Sequence, residues 1–221
     1  MRVASRAQNA VRLLFLLRDG GERPRTPPDP DDIARVVRSE VRLHALDFWL
    51  RNPDYLADEL LTEIDAGRLD VSYAASAAVL LDDPEPALRH YPMHRWLFGA
   101  YEPLDDAAAI LETAGLLRIG RTARSGRPGS VGRTQFFLTA KGLKAANDLE
   151  SREAMFAWYP RQIELVMAVA RDEPGSRLKA RQYKQAEYAA TELGSRIAPI
   201  TERVRRRLAD RGLGLIHEVR A

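Results

Sequence analysis

Residues 104–149 read LDDAAAILETAGLLRIGRTARSGRPGSVGRTQFFLTAKGLKAANDL, and the fold turns on how this stretch is parsed. Ala107, Ile110, Leu111 and Ala114 recur at helical spacing behind Asp105, which is placed to cap a helix. Gly115 then stands where a left-handed residue closes a helix, with Leu116 folding back on Leu111. Leu116-Leu117-Arg118-Ile119 and Thr134-Gln135-Phe136-Phe137-Leu138 are short, branched or aromatic runs that suit paired strands. Between them, Arg121 to Gly132 has no apolar periodicity. After Thr139 a helix restarts through Leu143, Ala146 and Leu149.

A helix feeding a β-hairpin with a polar tip is the second half of a winged helix-turn-helix. The segments AILETAGLLRIGRT and RTQFFLTAKGLKAANDL resemble the recognition-helix-plus-wing part of bacterial winged-helix regulators of the MarR and PadR kind. In those proteins a Gly-Leu-Leu or Gly-Leu-Val step ends the helix, a wing follows, and Leu-Thr-x-x-Gly opens the next helix. The resemblance covers about a fifth of the chain. It implies the fold and, less specifically, DNA binding, because winged helices also serve as protein-protein modules.

Working outward, Met93 to Tyr101 is expected to be the first helix of the helix-turn-helix, with Glu102-Pro103-Leu104 as its turn. Upstream, residues 4–18 suit an amphipathic helix. The prolines at 24, 27, 28 and 30 mark a linker after it, so this helix is expected to dock at a distance, on another part of the fold or on a second subunit. From Asp31 a long helix to about Arg51 is expected, with Ile33, Val36, Val37, Val41, His44 and Phe48 along one side. Asn52-Pro53 starts another helix, and Gly67 ends it. Val71 to Leu81 is alanine-rich and apolar, a helix in close packing, and Asp82 to Pro86 breaks the chain.

Downstream, Glu153 to Ala170 is helical, kinked or restarted at Pro160, and Asp172 to Gly175 stops it. Tyr183, Ala186, Ala190, Leu193, Ile197, Ile200, Val204 and Leu208 alternate by three and four, a heptad seam interrupted at Gly194 and Pro199. Leu193, Ile197, Ile200, Val204 and Leu208 are its candidate oligomer contacts. Leu213 to Val219 suits a terminal strand. The expected architecture is mainly α: an N-terminal helix and linker over 1–30, a helical region over 31–85, a winged-helix unit over 86–150, and a helical extension over 151–221 that dimerises.

The 221 residues carry a net charge of +3, but unevenly. From Val71 to Gly115 there are two bases, Arg89 and Arg95, against seven acids. From Leu116 to Lys144 there are seven bases and no acid. The tail brings Arg203, Arg205, Arg206, Arg207 and Arg211 close together. Such basic blocks are candidate contacts for nucleic acid or an acidic partner. In the wing segment, Arg118, Arg121, Arg124, Arg127, Arg133 and Lys141 are the candidate phosphate contacts. The helix before them argues against base reading. Its outward residues are expected to be Asp106, Ala109, Glu112 and Thr113, where a major-groove reader uses Arg, Lys, Asn or Gln. The Asp-x-Arg wing signature of MarR proteins is also missing.

The chain has no cysteine, which excludes disulfide frameworks, thiolate zinc sites and cysteine nucleophiles. Leu13 to Leu17 is too short for a secretory core, and no run approaches the ~20 apolar residues of a membrane span. A cytoplasmic protein is expected. His90 and His94 have the spacing of a helical metal pair, but Pro92 lies between them and no third ligand is evident. Gly126, Gly129 and Gly132 lack the Gly-Lys-Ser/Thr of a phosphate loop. No nucleophile–base–orienter set is visible. The expectation is a non-enzymatic protein without cofactor that binds DNA through the wing, as a homodimer. The rival is an adaptor subunit bridging partners in a larger assembly, such as a chromosome-maintenance or defence ATPase complex.

Overall fold

Ser5 and Gln8 close a capping box, Ser5 Oγ accepting from Gln8 N and Gln8 Oε1 from Ser5 N, and from it runs α1, Arg6–Gly20. The computed structural model describes residues 5–25, 29–82, 94–96, 99–101, 104–122 and 133–213. Ten α-helices lie within these residues, with a three-stranded sheet and a two-stranded ribbon. Helix α1 is the axis of the body. Leu13, Leu14, Phe15, Leu16 and Leu17 are each 2% exposed or less, because neighbours cover this helix on all sides. Of the two expected docking places, another part of the fold or a second subunit, the helix takes the first. Five consecutive apolar residues cannot face one side of a helix, so α1 had to be surrounded.

The expected long helix from Asp31 is two elements. Strand β1, Ile33–Val37, precedes α2, Glu40–Arg51, whose N-cap is Ser39 with Oγ accepting from Arg42 N. Ile33, Val36 and Val37 are branched, and a partner strand takes up their ladder groups. Helix α3, Pro53–Asp65, begins with Pro53 and is followed by Gly67 at φ +67°; α4, Tyr73–Leu80, packs on α3. Where a helix was expected near 93–101, the chain forms strands β2, His94–Trp96, and β3, Gly99–Tyr101, paired antiparallel. Strand β2 clips onto the C-terminal region: Arg95 N donates to Ser195 O, and the Arg95 guanidinium binds the carbonyls of Ala189 and Thr191. Residues 83–93 lie outside the described residues.

Helix α5, Asp105–Thr113, leads into β4, Leu117–Thr122, and β5, Arg133–Thr139, which returns to α6, Ala140–Arg152. The sheet order is β1-β5-β4, all antiparallel. Val36 faces Phe137 across a gap of a hundred residues in sequence, so this ladder crosses the expected boundary between the 31–85 and 86–150 regions.

A 3-10 turn, Ala154–Ala157, connects to α7, Trp158–Ala170, whose first turn contains Pro160. Phe15 and Tyr159 stack with centroids 4.9 Å apart, tying α7 to α1. Helices α8, Gly175–Gln182, α9, Ala186–Ala190, and α10, Thr201–Ala209, complete the fold. The interrupted heptad seam packs on the body of its own chain and not as an oligomer contact. Ile197, Ile200, Val204 and Leu208 are 3% exposed or less, buried against the chain's own core, and of the five candidate contacts Leu193, at 57%, alone faces outward. Gly194 and Pro199 break the helix, so the periodic residues fold back instead of forming a coiled coil. The suggested strand from Leu213 extends beyond the described residues.

Helix α10 has no cap of its own. Asp54 on α3 supplies one from a distance, its Oδ2 accepting from Ile200 N at 2.6 Å and Thr201 Oγ1 at 3.3 Å. Asp54→Ala should therefore cost about 1–2 kcal/mol in denaturant unfolding, as loss of a helix cap does. Asp54→Asn, which keeps an acceptor, should cost clearly less. Equal losses would mean that carboxylate charge, not capping, holds α10.

Candidate nucleic-acid interface

The hairpin β4–β5 is built from the junction with α5. Gly115 lies at φ +70°, and Leu116 N donates to Leu111 O and Gly115 N to Glu112 O, both at 2.8 Å. This pair of bonds is a Schellman closure, and it turns the chain straight into β4. At the far end, Thr139 joins three elements. Its Oγ1 accepts from Gly142 N at 3.0 Å, capping α6, and donates to Gly115 O at 2.9 Å. Gly142 sits so close to the α5–β4 turn that a Cβ would lie 2.3 Å from Leu116 O. The Leu-Thr-x-x-Gly pattern is thus a packing device: the threonine caps and ties, and the glycine lets α6 touch the turn.

Register puts Leu117, Ile119 and Arg121 on one face with Leu138, Phe136 and Thr134. Leu117, Phe136 and Leu138 are buried against the body, whereas Ile119 is 38% exposed and Arg121 is exposed. The hairpin therefore leaves the core at about Ile119 and carries Arg121 and Arg133 outward.

The six candidate contacts divide. Arg118 is held by Asp32 in a bidentate pair, Nη1 at 2.9 Å and Nη2 at 2.5 Å. Lys141 Nζ donates to Ala114 O at 2.7 Å, closing the end of α5. Arg121 and Arg133 are exposed and have no ion-pair partner among the described residues. Arg124 and Arg127 lie outside the described residues. Arg121, Arg133 and Thr134 form one wall of a cleft of about 1220 Å³. Its floor is Val36 and Val37, and its far wall is the start of α2 with residues 172–176. Asp172, Glu173 and Glu40 stand on that far wall beside Arg42, whose guanidinium binds the carbonyls of Glu173 and Arg171, and Arg25 and Arg38 also line the cleft.

Four of the five tail arginines are engaged within the chain, Arg206 being the exposed one without an ion-pair partner among the described residues. Arg207 and Arg211 bind Asp65, Arg207 also binds Asp58, and Arg205 pairs with Asp82 at 2.8 Å. Arg203 lies 3.4 Å from Glu187 and bonds Gln185. Hydrogen bonds from Arg211 and Arg207 hold the Asp65 carboxyl below the usual carboxylate range. Sequence reading missed Asp58 and Asp65 because they sit on α3, about 140 residues upstream. Helix α5 differs in detail as well. Ala107, Ala108 and Leu111 are buried, while Ile110, expected inward, is 40% exposed beside Asp105, Asp106 and Thr113. Asp106 pairs with Arg6 at 2.8 Å, and Glu112 accepts from the edge amide of Ile119 at 3.0 Å.

Among the described residues no group of three His, Asp or Glu side chains is arranged to hold a metal ion, and no helix is long and apolar enough to cross a membrane. His90 lies outside the described residues. No family model, curated protein or solved structure matches this chain.

Proposed function

We propose that the chain is a non-enzymatic winged-helix protein that holds DNA by its backbone through the β4–β5 hairpin. The sheet order β1-β5-β4, with α5 leading into the hairpin and β1 as third strand, supports the winged-helix reading. The observation that carries the DNA reading is the contrast in how arginines are used. Those of α8 and α10 that meet α3 are neutralised by its acids, whereas Arg121 and Arg133 at the hairpin base are left to solvent. Helix α5 offers no Arg, Lys, Asn or Gln, so binding of this kind positions the protein without reading bases.

The test is an electrophoretic mobility shift on random duplex across a salt series. A phosphate-driven binder weakens steeply with salt, by about 0.9 in log–log slope for each phosphate neutralised. Arg121→Ala with Arg133→Ala should flatten the slope by about 2, and adding Arg124→Ala and Arg127→Ala should flatten it further. Arg118→Ala should leave it nearly unchanged, because Asp32 already holds that guanidinium. Absence of binding at low salt would overturn the DNA reading.

A second reading is the adaptor, favoured by the outward side of α5. There Asp105 and Asp106 border the exposed Ile110, and Ile119 follows on β4. That mixture repels phosphate and suits a protein partner.

A further inference from the structure

From Val71 to Leu81 the chain carries no charged residue, yet this stretch is not buried. Of helix α4 only Ala74, Ala77 and Leu80 are buried, with Tyr73 and Ala78 half-buried against the core. Val71 and Val79 are 71% and 59% exposed, the most exposed large hydrophobic side chains among the described residues. Ser72, Ala75 and Val79 fall on one outward stripe at helical spacing. They border a groove of about 670 Å³ whose other wall is α7, with Arg161, Glu164 and Leu165. Arg161 and Glu164 are three residues apart, so they share a face of α7, and both are exposed.

We propose that this groove is a two-fold self-association surface. In it the α4 stripe of one copy lies on the α4 stripe of a second, and Arg161 of each copy meets Glu164 of the other. An isologous interface must be complementary to itself. An uncharged stripe meets that condition at the axis, since nothing on it repels its own image. A cation and an anion on the same flanking helix face meet it off the axis, since rotation exchanges them. Small residues at 72, 75 and 76 let the two helix backbones approach closely, and Val79 supplies the apolar contact. Arg161 has a partner within its own chain, but a guanidinium carries five donors and can serve both. The inference stands apart from the DNA reading, because the groove contains none of the hairpin residues.

Sedimentation of the full chain over a micromolar concentration series tests it. The expected result is reversible dimerisation, with Val79→Glu and, separately, Ala75→Glu sedimenting as monomers. Both positions are exposed, so circular dichroism of the variants should match the parent. Arg161→Glu should also give a monomer, and Arg161→Glu combined with Glu164→Arg should recover the dimer. A parent that stays monomeric throughout overturns the proposal. So does a dimer that survives Val79→Glu and Ala75→Glu, or an Arg161→Glu defect that the charge exchange leaves unrepaired.

Discussion

Arg181→Ala should lower stability by about 3–5 kcal/mol, the loss expected when one partner of a buried ion pair is removed. For a chain of this length that is a fall in Tm of roughly 6–20 °C. The guanidinium sits among Glu59 at 2.6 Å, Glu63 at 2.9 Å, Glu173 at 3.3 Å and the carbonyl of Val169 at 2.9 Å, and its carbon lies 5.5 Å from the centre of the Trp49 ring. Glu63 keeps a second partner in Arg68, at 2.7 Å. Glu59, 5% exposed, loses the one arginine that pairs with it among the described residues.

The pH dependence identifies the cause. Burial already pushes the Glu59 carboxyl up, and Arg181 works against that shift. Without Arg181 the folded-state value rises further above the unfolded one. A group raised in this sense stabilises the fold below its unfolded pKa and loses that contribution as pH rises. The deficit of Arg181→Ala should therefore be full at neutral pH and narrow as pH falls toward about 4.5, where Glu59 is neutral. In the parent, Glu63 and Asp65 are held low, chiefly by hydrogen bonds from Arg68 and Arg211. Their contribution is present above the unfolded carboxylate pKa and is lost in acid. Thermal unfolding of both proteins across this range is the measurement. A deficit independent of pH would show that Arg181 acts by packing on Trp49, not by compensating Glu59. Arg181→Met with Glu59→Leu should restore most of the stability, since a buried pair replaced by apolar groups is often neutral.

Local signals in the sequence were enough for most of the elements that position the hairpin. Gly115 marks the end of α5, Thr139 and Gly142 mark the start of α6, Asn52-Pro53 opens α3, and each acts within a few residues. What the sequence concealed depended on distant partners. Ile33 to Val37 satisfies a helical as well as a strand pattern, and only β5, a hundred residues on, selects the strand. The tail periodicity is real, but its residues meet α3 and the core instead of a second helix. Charge was misleading for the same reason. Block counting leaves the α10 arginines unopposed, while folding sets Arg207 against Asp58 and Asp65 and Arg205 against Asp82. For the candidate site, Arg121 and Arg133 were identifiable from sequence. The withdrawal of Arg118 by Asp32 and of Lys141 by Ala114 was not, because both partners are fixed by tertiary contact.

Gly142→Ala separates local from tertiary control most sharply, since the two predict opposite signs. Gly142 lies in the first turn of α6 and has no positive φ, so helix propensity alone predicts a gain approaching about 1 kcal/mol. The structure predicts a loss. A Cβ there would sit 2.3 Å from Leu116 O and 2.6 Å from Leu138 Cδ1. Leu138 could change rotamer, but Leu116 O belongs to the turn fixed by the Schellman bonds and accepts from Thr139 N at 3.1 Å. Relief requires α6 to move away, which weakens the Thr139 bonds to Gly142 N and Gly115 O together. A loss of about 3 kcal/mol is expected, at the upper end of ordinary overpacking. Gly67→Ala provides the control: it has open space around it and a φ of +67°, so only backbone strain of about 1–2 kcal/mol applies. Because the α6 junction anchors β5, Gly142→Ala should also loosen the hairpin base, raising amide exchange at Phe136 and Leu138 before global unfolding. If Gly142→Ala proved as stable as the parent or more so, the close approach of α6 to the α5–β4 turn would be refuted. The geometry that aims the hairpin outward would fall with it.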